Sequence, residues 1–216
     1  MTNKQTSGRG RHGRDWYVNE GNFAGTLALE VNFDINSNFQ CSILSLVVGV
    51  SIYQALKSLL PKQKLYVKWP NDILIDDAKI CGILIEGFPV KNSNHHIQTN
   101  RYAIGCGINI VGAPKIEGVK TDYLQAYNPK LDFEVVSNIV IDNVETNIKR
   151  WISGLDSILM DEWRAATFNV GTAFKTTIAG QKQIVRYKNI RDDGTLVVIS
   201  RTGEVIELKT GDLTIV

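Results

Sequence analysis

The sequence predicts an α+β protein, in which a mixed β-sheet with helices on one face is followed by a small β-barrel. Three observations support this prediction. Segments with the periodicity of strands and of amphipathic helices are interspersed over the first 168 residues. Short strands then recur at regular intervals, with a turn signal between neighbours. A chain of 216 residues is also long enough for one main domain and a small appendage, which predicts domains 1–168 and 169–216.

The first domain is predicted to alternate strands and helices around two strong local signals. Apolar residues spaced three and four apart, such as Ile43, Leu44, Val47 and Val50, predict a long helix that Pro61 ends. The sequence Asp76-Asp77-Ala78-Lys79 between two apolar segments predicts a hairpin. In chain order the predicted elements are a loop at Gln5–Trp16, strand Gly25–Phe33, helix Gln40–Leu60, strands Leu65–Lys68, Ile73–Ile75 and Ile80–Glu86, a polar loop at Asn92–Asn100 that carries His95-His96, strand Arg101–Ile110, and helices Glu134–Ile152 and Asp156–Ala166.

The second domain is predicted to consist of strands alone. Glycine-containing turn signals at Ala179-Gly180-Gln181, Asp192-Asp193-Gly194 and Thr202-Gly203 separate its apolar segments. The predicted strands are Ala173–Ala179, Lys182–Asn189, Thr195–Ser200, Glu204–Lys209 and Leu213–Val216.

The charge is concentrated near the N-terminus. The chain carries a net +2, residues 1–16 carry +3, and the other 200 residues therefore carry −1. This distribution predicts a local anionic ligand rather than a broad surface for a polyanion.

The cysteines and the apolar segments indicate a cytoplasmic protein. Cys41, Cys81 and Cys106 are odd in number, widely spaced and set among apolar residues, which is typical of reduced, buried thiols. The polar N-terminus lacks the pattern of a signal peptide. The most apolar stretch, Cys41–Ala55, is interrupted by polar residues and is too short to span a membrane.

The segment Gly8–Arg14 alternates glycines with arginines. Glycine lets the backbone approach a ligand closely, and arginine offers a planar charged fork to phosphate or carboxylate oxygens. Trp16 is placed to lie over a flat heterocycle. This segment alone leaves two interpretations open, a loop that closes on a nucleotide-like ligand and a basic tail that binds RNA nonspecifically.

A second cluster of charged residues follows at Lys68-Trp69-Pro70-Asn71-Asp72 and at Lys79, which begins an apolar strand. A lone lysine at the start of a strand is usually a solvated edge residue. Here two lysines and one aspartate lie within twelve positions at the mouth of an apolar sheet. This clustering favours a ligand site.

Four motifs in this order, QTSGRGRHGRDW, KWPNDILI, KICGILIE and IGCGINI, resemble those of biotin–protein ligases (biotin–acetyl-CoA-carboxylase ligases). The resemblance implies a catalytic domain like that of class II aminoacyl-tRNA synthetases and an SH3-like C-terminal barrel. It also implies that biotin and ATP are the substrates and that Mg²⁺ bridges the ATP phosphates. Biotin would be activated as biotinyl-5′-AMP and transferred to a lysine of a biotin carboxyl carrier domain.

The resemblance also implies the site residues. Arg11 would hold the adenylate, Lys79 would neutralise charge at the α-phosphate, and Asp72 would lie next to the acceptor amine. Arg14 would face the phosphates, Trp16 would cover the adenine side, and Gly82 would lie against the thiophane ring. The residues implied to bind biotin or the nucleotide are Gln5, Gly8, Arg9, Gly10, Arg11, Arg14, Trp16, Lys68, Asn71, Lys79, Gly82, Gly107 and Asn109. The resemblance implies no set of protein side chains that bind a metal ion.

The chain departs from the family at its N-terminus. It has no room for the winged helix-turn-helix of larger bacterial members. Family members also have a strand, a helix and a Ser/Thr-bearing loop for the ureido ring before the glutamine, whereas Met1 lies four residues before Gln5. This predicts that Met1 is an internal methionine of a longer protein, the alternative being a truncated form with an incomplete biotin pocket.

Three rival functions remain at this point. The first is a lipoate–protein ligase or octanoyltransferase of the same fold. The second is a catalytically impaired protein that binds biotin or a carrier domain. The third is nonspecific RNA binding, which the charge outside residues 1–16 disfavours. The favoured prediction includes no specific nucleic acid and no membrane as partners, and it allows a homodimer.

Overall fold

The structure, a computed structural model, describes residues 1–34, 41–90 and 97–216. It confirms the predicted α+β class, since these residues contain α-helices together with strands that form two five-stranded sheets. In chain order the elements are β1 (Gly8–Arg9), β2 (Asp15–Trp16), β3 (Phe23–Asp34), α1 (Leu44–Leu59), β4 (Leu65–Lys68), β5 (Asp72–Ile75), β6 (Ala78–Val90), β7 (Ile97–Ile108), α2 (Phe133–Ile152), α3 (Asp156–Ala166), β8 (Ala173–Ile178), β9 (Gln181–Ile190), β10 (Leu196–Ser200), β11 (Val205–Leu208) and β12 (Thr214–Ile215).

The central sheet has the strand order β3-β7-β6-β5-β4, and every strand pair in it is antiparallel. The predicted mixed sheet is wrong in this respect. Very short connections join β4 to β5 and β5 to β6, and such connections can join only antiparallel strands because a parallel crossover needs a dozen or more residues. Within the described residues, parallel pairing occurs in one isolated bridge, between Lys79 and Thr121.

The helices cover one face of this sheet. α1 packs against β4, β5 and β6 and against both other helices, and its apolar side chains form the centre of the core. Ile83 of β6 lies under Gly49 of α1, whereas the preceding residue Gly82 faces Trp16. Because successive side chains of a strand point to opposite faces, the face that carries Gly82 is free of helices and available for a ligand.

Helix ends differ little from those predicted. A 3₁₀ turn, Cys41–Ile43, precedes α1, and Gln40, where this helix was predicted to begin, lies outside the described residues. The side chain of Asp132 caps α2 by accepting a hydrogen bond from the Val135 amide, 2.9 Å away. α3 has the predicted bounds.

The polar segment before β7 was predicted to be a loop and is a strand from Ile97 onward. Its residues 97–100 pair with residues 31–34 of β3, so backbone pairing with a long partner strand extends β7 into the segment that its polar composition predicted to be a loop. His95-His96 and the rest of 91–96 lie outside the described residues. At its other end β7 stops at Ile108, two residues before the predicted end.

The C-terminal strands form a second antiparallel sheet in the order β11-β10-β9-β8-β12. Each strand lies within one or two residues of its predicted bounds. The glycines of the three predicted turns, Gly180, Gly194 and Gly203, all adopt positive φ angles. The division at residue 168 and the closure of this sheet into an SH3-like barrel stay predictions.

Two cysteines of the described side chains are free thiols. Cys81 is buried, whereas Cys106 is half-buried rather than buried as predicted, and their sulfur atoms lie 3.8 Å apart. The side chain of Cys41 lies outside the described residues. No helix in the described part of the chain is long and apolar enough to cross a membrane.

Candidate functional site

A cavity of about 1030 Å³ lies on the helix-free face of the central sheet. Its walls come from three separate segments: the N-terminal residues up to Tyr17, the segment from Asn109 to Thr121, and the C-terminal residues from Asp212 to Val216. All site residues predicted from the sequence line this cavity except Gly8. The structure therefore assembles in one place residues that the sequence distributes over four motifs.

The floor of the cavity is a single row of residues across all five strands. Lys68 pairs with Asp72, Asp72 with Gly82, Gly82 with Gly107, and Gly107 with Ala24. Residues in such a cross-strand row project from the same face of the sheet. The floor is consequently charged at one end and bare backbone at the other.

Asp72 lies at the charged end between two lysines. Its Oδ2 is 2.9 Å from Lys68 Nζ and its Oδ1 is 2.6 Å from Lys79 Nζ, and only 11% of its side chain is exposed. Burial raises the pKa of Asp72, but the two ammonium groups outweigh burial and bring that pKa below its ordinary value. The buried Oδ1 makes no hydrogen bond of normal geometry despite its contact of 2.6 Å with Lys79 Nζ, and it is closed off from solvent in this structure.

Trp16 lies over the bare end of the floor. A Cβ atom added to Gly107 would be 2.2 Å from Trp16 Nε1, and one added to Gly82 would be 2.9 Å from Trp16 Cζ3. Lys79 Nζ lies 5.3 Å from the centre of the same ring, within the range of a cation–π contact. Glycine is thus required at both positions for the indole to approach the sheet.

Gly107→Ala should displace the Trp16 indole, because the added Cβ atom overlaps three of its ring atoms. The measurement is the indole N–H resonance of Trp16 in a ¹H–¹⁵N NMR spectrum, assigned among the four tryptophans with a Trp16→Phe variant. We expect a large shift of this resonance only. Gly87→Ala is the matched control, since its Cβ atom would make an ordinary contact of 3.4 Å with Tyr102. An unchanged Trp16 resonance in Gly107→Ala would contradict this packing.

Arg11 and Arg14 enter the cavity from the hairpin that β1 and β2 form. Composition predicted a loop here, and the structure has two short paired strands around a 3₁₀ turn. Arg11 Nη1 donates to Asn71 Oδ1 at 3.3 Å and to the Gly211 carbonyl at 3.2 Å. Arg14 Nε donates to the Arg11 carbonyl at 3.2 Å. Side by side, the two guanidinium groups present donors of the kind that bind phosphate oxygens.

Other predicted residues form the rim of the cavity. Arg9 is exposed and forms an ion pair of 3.3 Å with Glu86, a residue for which the sequence analysis predicted no role. Gln5 is exposed on the N-terminal segment. Gly10 approaches Arg14 through a hydrogen bond from its amide to the Arg14 carbonyl, 2.7 Å long. These residues can contact a ligand only at the entrance.

Asn71, Asn109 and Gly8 have structural contacts that the sequence did not predict. The amide groups of Asn71 and Asn109 donate to the Ile83 and Asp122 carbonyls, at 2.8 and 3.0 Å. A Cβ atom on Gly8 would lie 2.3 Å from the Trp16 carbonyl oxygen, so Gly8 permits the hairpin to close and does not line the cavity.

The C-terminal segment also contributes to the site, although no sequence motif predicted it. Asp212 accepts hydrogen bonds from both Arg11 and Arg14, and Lys68 Nζ donates to the Leu213 carbonyl at 3.0 Å. A Gly-Asp pair before a strand is typical of an ordinary turn, and no local signal distinguishes this pair from one without a role in a ligand site. Its contact with residues about 200 positions away is visible only in the folded chain.

The arrangement suits a ligand with an anionic part and a flat, less polar part. Lys79 and the two arginines can neutralise anionic oxygens, and the space above the floor glycines can hold a flat group, as it holds the Trp16 indole here. The buried carboxylate of Asp72 can accept a hydrogen bond from an amine that enters beside Lys79. The cavity can therefore support a reaction in which an anionic leaving group and an amine meet.

A sequence model of the Biotin/lipoate A/B protein ligase family matches residues 1–109. This match includes the hairpin, Lys68, Asp72, Lys79 and both glycines of the floor.

Curated proteins extend the similarity beyond that match. The chain is 28% identical over 213 residues to a biotin–[acetyl-CoA-carboxylase] ligase of Paracoccus denitrificans, which covers 95% of this chain and 85% of that protein. It is 23% identical over 218 residues to the ligase of the same name from Mycobacterium tuberculosis, with 97% and 75% covered.

Among solved structures, the chain resembles a biotin protein ligase from Aquifex aeolicus in complex with biotin and ATP. The TM-score is 0.72 at 21% identity, with 98% of this chain and 85% of that chain covered. This likeness establishes a shared fold over nearly the whole chain, including the C-terminal sheet.

Proposed function

This chain belongs to the Biotin/lipoate A/B protein ligase family, and we propose that it is an ATP-dependent biotin–protein ligase that modifies a lysine of a biotin carboxyl carrier domain. The observation that carries the proposal is the convergence of Arg11, Arg14 and Lys79 on one cavity beside the buried Asp72. Two relatives named as biotin ligases match nearly the whole chain, which favours biotin over lipoate.

In the activation step, an oxygen of the biotin carboxylate attacks the α-phosphorus of ATP. The bond from that phosphorus to the bridging oxygen breaks, and pyrophosphate leaves with the electron pair. We assign to Lys79 the neutralisation of charge between the carboxylate and the α-phosphate, because it is a compact cation at the centre of the floor. Arg14 holds the outer phosphates, and Arg11 holds the product adenylate.

We place the ring system of biotin and the start of its side chain in the slot above Gly82 and Gly107, which the Trp16 indole fills in this structure. Biotin would enter this slot only when the indole moves away, and the absence of side chains at Gly82 and Gly107 then lets its ring lie against the backbone. The hairpin, with Gln5, Arg9 and Gly10 at the rim, covers this slot and would exclude water from the anhydride.

In the transfer step, the acceptor lysine amine attacks the acyl carbon of biotinyl-5′-AMP. The bond from that carbon to the phosphate oxygen breaks and AMP leaves, while the proton of the amine passes to solvent. We assign to the Asp72 carboxylate the hydrogen bond from the amine, which reaches the carboxylate once a side chain beside it moves. Since the pKa of Asp72 is below its ordinary value, it is a weak base, and its main contribution is to orient the amine and to stabilise the positive charge that develops on it.

Mg²⁺ enters this scheme as part of the substrate MgATP. In the described residues, no group of three or more His, Cys, Asp or Glu side chains could hold a metal ion. A cation that is bound mainly by phosphate oxygens and water needs few protein ligands. The arginines and Lys79 would then contact the phosphate oxygens that the cation leaves free.

We also propose that residues 1–168 form the catalytic domain and residues 169–216 an SH3-like domain that completes the cavity through its last residues. The protein is expected to act in the cytoplasm, without a specific nucleic-acid partner. Arg11 is only 19% exposed and is engaged inside the cavity, which disfavours a free basic tail for RNA. The homodimer can be tested by size-exclusion chromatography with light scattering.

The direct test is to incubate the protein with ATP, Mg²⁺ and biotin and to detect biotinyl-5′-AMP by mass spectrometry. A biotin carboxyl carrier domain in a parallel sample should gain one biotinyl group on a lysine. Replacing biotin by lipoate should abolish the adenylate. Formation of lipoyl-AMP in place of biotinyl-AMP would make the protein a lipoate ligase, and the absence of any adenylate would refute ligase activity.

Arg11→Gly should release biotinyl-5′-AMP into solution about tenfold faster or more, because charge-assisted hydrogen bonds to the intermediate are lost. The measurement is free adenylate together with labelling of lysines on a bystander protein, and both should rise. Arg201→Gly, in an exposed turn of the second sheet, is the matched control. Release that stays at the wild-type rate would refute the role of Arg11 in retention.

A further inference from the structure

One carboxylate, that of Asp212, contacts one donor nitrogen of each cavity arginine. Its Oδ1 lies 3.3 Å from Arg11 Nη1 and its Oδ2 lies 2.8 Å from Arg14 Nη2. These are donors that a phosphate group would use, because a carboxylate and a phosphate both accept hydrogen bonds from guanidinium groups. Asp212 and a phosphate cannot hold the same N–H groups at the same time.

The backbone around Asp212 is fixed in this place by the second sheet. The hydroxyl of the buried Thr176, on β8, donates to the Asp212 carbonyl at 2.9 Å. On the other side, Lys68 Nζ donates to the Leu213 carbonyl at 3.0 Å, and Thr214 pairs with Lys175. The position of the carboxylate at the cavity wall is therefore built into the packing of the two sheets.

The Asp212 side chain itself remains free to turn away. It is 48% exposed, and the described contacts of its carboxylate are those with Arg11 and Arg14. Arg11 would keep its hydrogen bonds to Asn71 and to the Gly211 carbonyl if Asp212 released it. Loss of the carboxylate would thus leave Arg11 in place and free its charge for a ligand.

We propose that the Asp212 carboxylate competes with the ATP phosphates for the guanidinium groups of Arg11 and Arg14. This inference rests on the proposed function in one respect, that the phosphates of ATP bind at Arg14. The competition keeps the affinity for ATP below what the two arginines alone would support. It also makes the second sheet a determinant of nucleotide affinity, although that sheet contributes none of the predicted catalytic residues.

The test is Asp212→Asn, which removes the charge and keeps the shape of the side chain. The probes are inorganic tripolyphosphate and ATP, each titrated into the full chain by isothermal calorimetry. Both should bind about fivefold more tightly to the variant, the factor for removing one charge a few ångströms from an anion near water. In steady-state kinetics the KM for ATP should fall while the KM for biotin stays within twofold, a split that a general loss of structure would not produce.

Two variants control this experiment. Asp212→Glu keeps the charge and should restore wild-type affinity for tripolyphosphate. Asp192→Asn makes the same chemical change at an aspartate that pairs with Arg164 outside the cavity, and it should leave that affinity unchanged. Asp212→Ser repeats the test with a smaller side chain if thermal unfolding shows that the asparagine variant is destabilised.

Unchanged or weaker binding of tripolyphosphate by Asp212→Asn would overturn the proposal, as would the absence of binding to every variant. Weaker binding of ATP only when Mg²⁺ is present would make Asp212 a ligand of the substrate's cation instead. Failure of the proposed function gives a different result, since the protein would form no biotinyl-5′-AMP while the tripolyphosphate comparison could still succeed.

Discussion

Lys79→Ala is expected to reduce the rate of biotinyl-5′-AMP formation by about 100-fold or more, which is the range for losing one preorganised donor at a centre of developing charge. The ammonium of Lys79 is held by Asp72 and lies against Trp16, so it is directed before any substrate arrives. The strand should survive the substitution, because the Lys79 amide and carbonyl are both hydrogen-bonded to the segment at Lys120 and Asp122.

The measurement is the exchange of labelled pyrophosphate into ATP, which depends on biotin and reports activation without the transfer step. Lys182→Ala, an exposed lysine on a strand of the second sheet, is the matched control and should exchange at the wild-type rate. An exchange rate within threefold of wild type for Lys79→Ala would contradict the proposed role of this lysine.

Asp72→Asn is expected to slow transfer from preformed biotinyl-5′-AMP to the carrier domain by about 100-fold, the range for losing one preorganised group at a centre of developing charge. Activation should slow by less than tenfold, because Lys79 remains and loses only its partner. The two rates can be separated by single-turnover kinetics with isolated adenylate and by pyrophosphate exchange. Equal slowing of both steps would count against the assignment of Asp72 to the acceptor amine.

The same variant should be less stable by about 1–3 kcal/mol, because two largely buried ammonium groups lose their counter-charge. Adding Lys68→Met to Asp72→Asn should recover part of this loss, since one unpaired charge is then removed. Urea unfolding of the single and double variants measures both effects. If the double variant loses as much stability as the two single variants added together, the lysines do not depend on Asp72.

The pH dependence of this stability difference follows from the direction of the pKa shift. The pKa of Asp72 is lowered in the folded protein, so the carboxylate contributes its full stability above the pKa of unfolded aspartate, about 4. The difference between wild type and Asp72→Asn should be constant from neutral pH down to that value. It should then shrink as the pH falls further and the folded carboxylate gains its proton.

Local sequence patterns were sufficient for most secondary-structure elements. α3 and β4 have the predicted bounds, and the turns of the second sheet lie at the predicted glycines, because periodicity and turn chemistry act over a few residues. The predictions failed where a partner strand decides the outcome. Residues 97–100 are a strand because they pair with β3, and the direction of the central strands depends on pairings that no local pattern contains.

The candidate site was likewise predicted only in part from the sequence. Nearly all residues that the motifs identified line the cavity, because the chemical properties of arginine, lysine and glycine can be judged from each residue alone. They did not reveal that Asn71 and Asn109 use their amide groups to hold backbone carbonyls. Nor did they reveal that Gly8 serves the closure of the hairpin.

The sequence by itself determined the α+β class, the candidate site residues and the family to which they point. Only the tertiary structure decided how those residues meet. The row from Lys68 through Asp72 to the floor glycines depends on the register of three strand pairings. The contact of Asp212 with Arg11 spans 201 positions and depends on how the second sheet packs beside the first. Both arrangements join residues that are far apart in the sequence. The local sequence around a side chain does not show which distant residue it will contact after folding.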